Sequence, residues 1–243
     1  MTRTPGLVAA PGAALLLDID DTLIDTRTSL RAAAARCLRE VWPELTEAQA
    51  RELGVRYHVD PEGYFVAYTR GDLTFEQQRE GRLRAVVDDA GLAWSHADWQ
   101  DFETAWAPAF TGATIVFDDV RPLLGRAAAA GVLVGALTNS SETFTTLKLQ
   151  AGGLADAFST VATTDTLGFG KPDPRAFHEA CRLLGAVPER TVYVGDALDV
   201  DAVAAAQAGL TGVWLDRRGE TSAPVPPEVT RVSTLDEITF AVR

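Results

Sequence analysis

Two kinds of hydrophobic pattern run along this chain, and the switch between them organises it. Leu15-Leu16-Leu17 is an uninterrupted apolar run that stops at Asp18-Ile19-Asp20-Asp21-Thr22-Leu23, the pattern of a strand buried on both faces that ends in an acidic turn. Beyond the turn the chain reads as helix. Residues 27–38 form an Ala-rich amphipathic segment, and 46–53 reads as the start of a second helix, capped by Thr46, with Glu47 and Gln49 in its first turn. A third opens at Thr74 before Glu76-Gln77-Gln78-Arg79 and ends near Gly91, and a fourth is capped by Ser95 and runs through Trp106. In each case a small polar residue stands where it can accept from the first exposed backbone N–H groups. Residues 57–68 form a polar, aromatic-rich stretch within this series, and the whole region reads as helical, without strands.

Near Gly112 the pattern changes. Residues 118–131 read as a helix, 132–137 as an apolar strand ending at Thr138-Asn139, and 159–163 as a short strand. A helix opened by Pro174 runs to Gly185, a buried strand over 191–194 ends at Gly195-Asp196, a helix over 201–209 stops at Gly209, and 211–215 is again a strand. A Pro-rich loop over 222–227 precedes a short final strand and helix. Strands alternating with helices predict an α/β fold, a doubly wound parallel sheet covered on both faces. Residues 1–26 and 112–243 are therefore assigned to this core and 27–111 to an inserted all-helical subdomain. Ligands of open parallel sheets bind beyond the carboxyl ends of the strands, so an insertion directly after the acidic turn is expected to overhang such a site as a lid.

Composition narrows the function. A formal charge of −12 over 243 residues argues against a nucleic-acid surface, which needs Lys and Arg to neutralise phosphates. Residues 1–12 lack a hydrophobic run long enough for a signal core, and no segment approaches a membrane span. Cys37 and Cys181 stand far apart and read as reduced, buried thiols of a cytoplasmic protein. Lys148 and Lys171 are the only lysines, which makes each of them worth asking about.

Four polar clusters fall at strand ends or helix starts: Asp18 with Asp20, Thr138 with Asn139, Lys171 within Gly170-Lys171-Pro172, and Asp196 with Asp201. Asp18 and Asp20 share one side of an extended chain while Ile19 faces the other. Like charges so close disfavour each other's ionisation unless water or a cation compensates. Residues 165–171 are not a phosphate loop, because Asp165 replaces the first Gly and Pro172 the final Ser or Thr. No G-x-S-x-G elbow is present, and His58, His96 and His178 lie in separate segments.

The order and spacing of the four clusters, together with the helical insertion, resemble the haloacid dehalogenase superfamily, most of whose members are magnesium-dependent phosphatases. Asp18-Ile19-Asp20-Asp21-Thr22 resembles its first motif, Leu137-Thr138-Asn139 its second, Lys171-Pro172 its third, and Gly195-Asp196 with Asp201 its fourth. The insertion is similar to the C1 cap, and the core is then Rossmann-like. Asp21 stands where many members have Gly. The resemblance implies Asp18 as the nucleophile that forms an aspartyl-phosphate and Asp20 as the general acid and base. It implies Thr138 and Asn139 as phosphate-binding groups, and Lys171 as the charge that offsets both phosphate and Asp18. Mg²⁺ would be held by Asp18, the backbone carbonyl of Asp20, and Asp196, with Asp201 rather than Asp199 supporting it from outside.

The expected activity is hydrolysis of a small phosphorylated metabolite whose identity, like the oligomeric state, the sequence does not name. A phosphomutase shares all four motifs. A dehalogenase leaves Asp20 with little purpose, and a non-catalytic binding protein has no need of intact Asp18, Asp20, Lys171 and Asp196.

Overall fold

The computed structural model describes residues 6–8, 13–219 and 224–241. Most of residues 1–12, and the first part of the loop over 222–227, lie outside the described residues, so the readings made there stand as expectations. The chain forms two compact units, one of Met1–Asp25 with Val116–Arg243 and one of Thr26–Ile115.

In the first unit the strands are β1 (Gly6–Val8), β2 (Ala14–Leu17), β3 (Leu133–Leu137), β4 (Thr160–Ala162), β5 (Thr191–Gly195), β6 (Thr211–Leu215), β7 (Thr230–Val232) and β8 (Thr239–Ala241). Six of them form a sheet in the order β4-β3-β2-β5-β6-β7, every pair parallel. From β2 the chain winds outward through β3 and β4, passes the short α8 (Thr164–Leu167), then crosses back to β5 and winds the other way. The switch lies between β2 and β5, whose register pairs Leu17 with Val194, and in such sheets that switch opens a crevice at the strand ends.

Alternate residues explain the apolar run. Leu15 and Leu17 pack with Val134, Ala136, Val192 and Val194 against Leu123 and Ala127 of α6 (Val120–Ala129) and Leu149 of α7 (Glu142–Ala151). Leu16 faces the other way with Leu137 and Tyr193, against Phe177, Ala180 and Leu184 of α9 (Pro174–Leu184). Each fully buried Leu contributes roughly 1.5–3 kcal/mol, and neither face of β2 can turn to water.

The second unit consists of α1 (Thr26–Val41), α2 (Glu47–Val59), α3 (Tyr64–Thr69), α4 (Phe75–Asp89) and α5 (His96–Ala113). Thr46, Thr74 and Ser95 each form a reciprocal capping box, with Gln49, Gln77 and Asp98 respectively. The structure extends the helices beyond the segments read from the sequence. α2 continues to Val59 and buries Tyr57, and α5 runs past Trp106 through Pro108. The reason is packing: Trp99, Phe102, Trp106 and Phe110 lie on one face of α5 and are all buried, which outweighs the bond that Pro108 removes. At the chain's end the expected final helix is a single 3₁₀ turn, Leu235–Glu237, followed by β8, which pairs with β1. The helix expected over 201–209 begins earlier, as a wide π-helical turn, Leu198–Val203, that runs into α10 (Ala204–Gln207).

Candidate active site

All four polar clusters arrive at the carboxyl edge of the six-stranded sheet. Asp18 is held one residue beyond β2 by its N–H, which donates to the Val194 carbonyl at 2.9 Å, and Thr138 one residue beyond β3 by a 3.0 Å bond to Ala162. The ladder bonds of neighbouring strands thus set both backbones. Asp18 is only 5% exposed and Asp201 1%. Oxygens of Asp18, Asp196 and Asp201 lie within 4.8 Å of one another.

Lys171 sits among these acids. Its ammonium donates to Asp18 Oδ1 at 2.6 Å, to Asp201 Oδ1 at 2.7 Å and to the Tyr193 hydroxyl at 2.8 Å. The Tyr193 hydroxyl in turn is 3.1 Å from the Leu137 carbonyl and 3.2 Å from Asp201. Burial, with Asp201 and Asp18 close by, pushes its pKa well up, so it stays a phenol and a donor. The other oxygen of Asp201 accepts from the Ala197 N–H at 2.9 Å. This close approach needs a residue without a side chain at the end of β5, since a Cβ on Gly195 would stand 2.4 Å from the Asp201 carboxyl carbon. Asp199 is exposed on the same turn and is not among the clustered acids.

Three carboxylates here share one ammonium, and the electrostatics record the imbalance. Burial pushes the Asp18 carboxyl up to about 7; Lys171 opposes the rise while Asp201 and Asp20 add to it. Asp196 is pushed up to about 8, first by burial and then by Asp18, Asp201 and Asp21. Burial works against the Lys171 charge, yet Asp18 and Asp201 hold its pKa above the ordinary range. A set of hard oxygen donors with excess negative charge is what a hard cation compensates.

The second carboxylate of the acidic turn is held separately. Asp20 accepts from Lys148 at both oxygens, 2.7 and 2.6 Å, and lies 3.4 Å from the Thr138 hydroxyl. Asp21 is left-handed, with φ of 55°, which explains why Gly suits that position; its carboxylate is 3.5 Å from Arg218, which also reaches Asp25. Arg217 clasps the turn from just beyond β6, donating to the Thr22 carbonyl at 2.7 Å and to both oxygens of Asp119. The Asn139 side chain clasps the third cluster: its amide donates to the Lys171 carbonyl and accepts from the Lys171 N–H, both at 2.7 Å. A Cβ on Gly170 would collide with it at 2.5 Å.

The sequence drew attention to Lys148 without giving it a role, and gave no sign of Tyr193 or of the clasp role of Asn139. The scarcity of lysine was a signal for the first. Ser141 was another, because it caps α7 by accepting from Phe144 and so fixes the helix that carries Lys148.

Comparison with known proteins bears on the family and the fold. A family model described as haloacid dehalogenase-like hydrolase matches residues 13–209. A phosphoserine phosphatase of Thermus thermophilus is 34% identical over 126 residues, 52% of this chain and 51% of the relative, so that match spans about half its length. A phosphoglycolate phosphatase of Pseudomonas putida is 30% identical over 214 residues, 88% of this chain and 73% of its own. Among solved structures, the HAD-hydrolase YfnB from Bacillus subtilis, bound to magnesium, superposes with a TM-score of 0.74 at 20% identity, covering 94% of this chain and 97% of that one. The defluorinating L-2-haloacid dehalogenase Rha0230 shares the fold equally, with a TM-score of 0.75 at 18% identity and coverage of 93% and 92%. With most of its length matched by the family model and its acidic strand-end cluster in place, the chain belongs to the haloacid dehalogenase-like hydrolase family.

Proposed function

We propose that this protein is a Mg²⁺-dependent phosphatase of a small phosphorylated metabolite, with Asp18 as nucleophile. The observation that carries the reading is the buried carboxylate of Asp18 at the sheet's switch point, with Lys171 at 2.6 Å and the acids Asp196 and Asp201 beside it. Asp18, Asp196 and the Asp20 backbone carbonyl would hold the ion and Asp201 would support it, all hard oxygen donors. When bound, the ion neutralises the mutual repulsion of carboxylate and phosphate dianion.

The residues divide the chemistry. Lys171 anchors Asp18 and offsets the negative charge of the phosphoryl oxygens as an Asp18 oxygen bonds to phosphorus. As that bond forms, the bond from phosphorus to the leaving oxygen breaks, and Asp20 gives that oxygen its proton. In the second half Asp20 takes a proton from water, whose oxygen displaces Asp18 and releases inorganic phosphate. The Thr138 hydroxyl would bond the phosphoryl oxygens, whereas the Asn139 side chain, expected to do the same, is engaged at both its oxygen and its nitrogen by the Lys171 backbone and would hold that loop in place. The helical unit serves as the cap that selects the substrate. Relatives named for phosphoserine and phosphoglycolate phosphatase activity support a small monoester.

Dehalogenases share this fold, but halide departure needs no proton, and the separately anchored Asp20 argues for a leaving alkoxide. A phosphomutase keeps the same groups and is distinguished by the product. No helix among the described residues is long and apolar enough to cross a membrane. We assign the protein to the cytoplasm, where its two buried free cysteines would stay reduced.

The test is release of inorganic phosphate from a panel of sugar phosphates, nucleotides and phosphorylated organic acids. Activity should vanish with chelator, return with Mg²⁺, and return poorly with Ca²⁺, whose coordination is larger and looser. Full turnover in chelator, or isomerised product without free phosphate, would overturn the reading.

A further inference from the structure

The chain carries 22 basic residues, of which only two are lysines. Both are buried against the first two acids of the acidic turn: Lys171 on Asp18, and Lys148 on Asp20. Lys148 is 0% exposed, although lysine is almost never fully buried unless paired. Its ammonium donates to both oxygens of Asp20 and lies 4.9 Å from the Phe144 ring one turn earlier on α7. The pair joins residues 128 apart in sequence, so α7 is docked with its one cation aimed at one carboxylate. A guanidinium would demand a wider, fork-shaped space.

We infer that Lys148 is a positioning residue for Asp20, fixing the plane of the acid–base carboxylate beside Thr138. The inference rests on the acid–base reading of Asp20 proposed above. A carboxylate at the tip of a turn can otherwise rotate about two bonds, and misplacement by about 1 Å can cost about 10²-fold in rate. Among the described residues Lys148 pairs with Asp20 and with neither Asp18 nor Asp196; it acts through Asp20.

A double-mutant cycle tests this on the full-length protein with Mg²⁺. Lys148→Met should lower kcat for an alkyl phosphate by about 10- to 100-fold with KM little changed. Release of phenolate in the first turnover of an aryl phosphate, whose leaving oxygen needs less help, should fall far less. In the Asp20→Asn background the same substitution should cost less than about 2-fold, because the group it positions is gone. If the methionine variant fails to fold, Lys148→Gln, which keeps a donor for one oxygen, closes the same cycle. Equal losses in both backgrounds, equal losses for both substrates, or full alkyl-phosphate turnover without Lys148 would overturn the inference. Normal turnover by Asp20→Asn itself would instead overturn the parent reading, so the two failures are distinguishable.

Discussion

The two units bury charge in opposite ways. In the helical unit Arg82 donates to the Tyr57 carbonyl at 2.9 and 2.6 Å and lies 4.4 Å from the Tyr57 ring, while Arg79 forks onto Glu103 and lies 4.0 Å from the ring of Trp106. Each buried cation there has acceptors and an aromatic face, an arrangement that holds helices together. At the sheet edge three acids crowd one ammonium, and the carboxyls of Asp18 and Asp196 are pushed far above their ordinary range, chiefly by burial. Balanced burial serves stability; the unbalanced cluster costs stability and stays poised for a charged ligand.

Substituting the proposed nucleophile draws this contrast most sharply. Asp18→Asn should lower phosphatase turnover by about 10⁴-fold or more and abolish covalent phosphorylation. The metal-free variant should melt no lower than the parent, since a neutral amide replaces a carboxylate whose charged form burial disfavours. Retained turnover with a lowered Tm would reverse the roles assigned to the two units.

The opposite substitution is Phe102→Ala. Phe102 is fully buried, with its ring 5.8 Å from that of Tyr57 and 5.6 Å from that of Trp106. Its truncation should destabilise the helical unit by about 3–5 kcal/mol, read by denaturant unfolding. A cost below about 1 kcal/mol would mean that this aromatic cluster does not hold the unit.

The smallest expected effect is on the pH dependence of stability. The folded-state pKa values of Asp18 and Asp196 are raised from the ordinary 3.8 to about 7 and about 8, so between roughly pH 4 and 8 the folded state binds more protons than the unfolded one. Their contribution to stability is therefore present at low pH and declines as pH rises through that window. The Tm of metal-free protein should fall from pH 5 to 8 relative to Asp18→Asn, and Mg²⁺ should flatten the decline. An identical slope in variant and parent would remove the sheet-edge cluster as its source.

How far the sequence revealed this molecule depended on how local each cause was. The strand of Leu15–Leu17 and the starts at Thr46, Thr74 and Ser95 were legible because burial parity and capping act within a few residues. The ends of α2 and α5 were not, because Tyr57 and Phe110 are kept helical by partners on other helices. Lys171 and the acids were found from their motif order. The roles of Lys148 and Tyr193 were not legible because they exist only across the sheet, and neither α7 nor β5 marks these residues as anything but helix and core.

The distance along the chain between Asp18 and Lys171 also bears on synthesis. The pair spans 153 residues, and the β5 strand that sets Asp18 comes after Lys171 itself. A nascent chain exposes the acidic turn long before its counter-charge exists, so the proposed catalytic centre closes only after the costly long-range loop between β2 and β5 has formed. Regain of activity on refolding is thus a report on the whole sheet, and a chain interrupted before β5 would be inert however well its helical unit had folded.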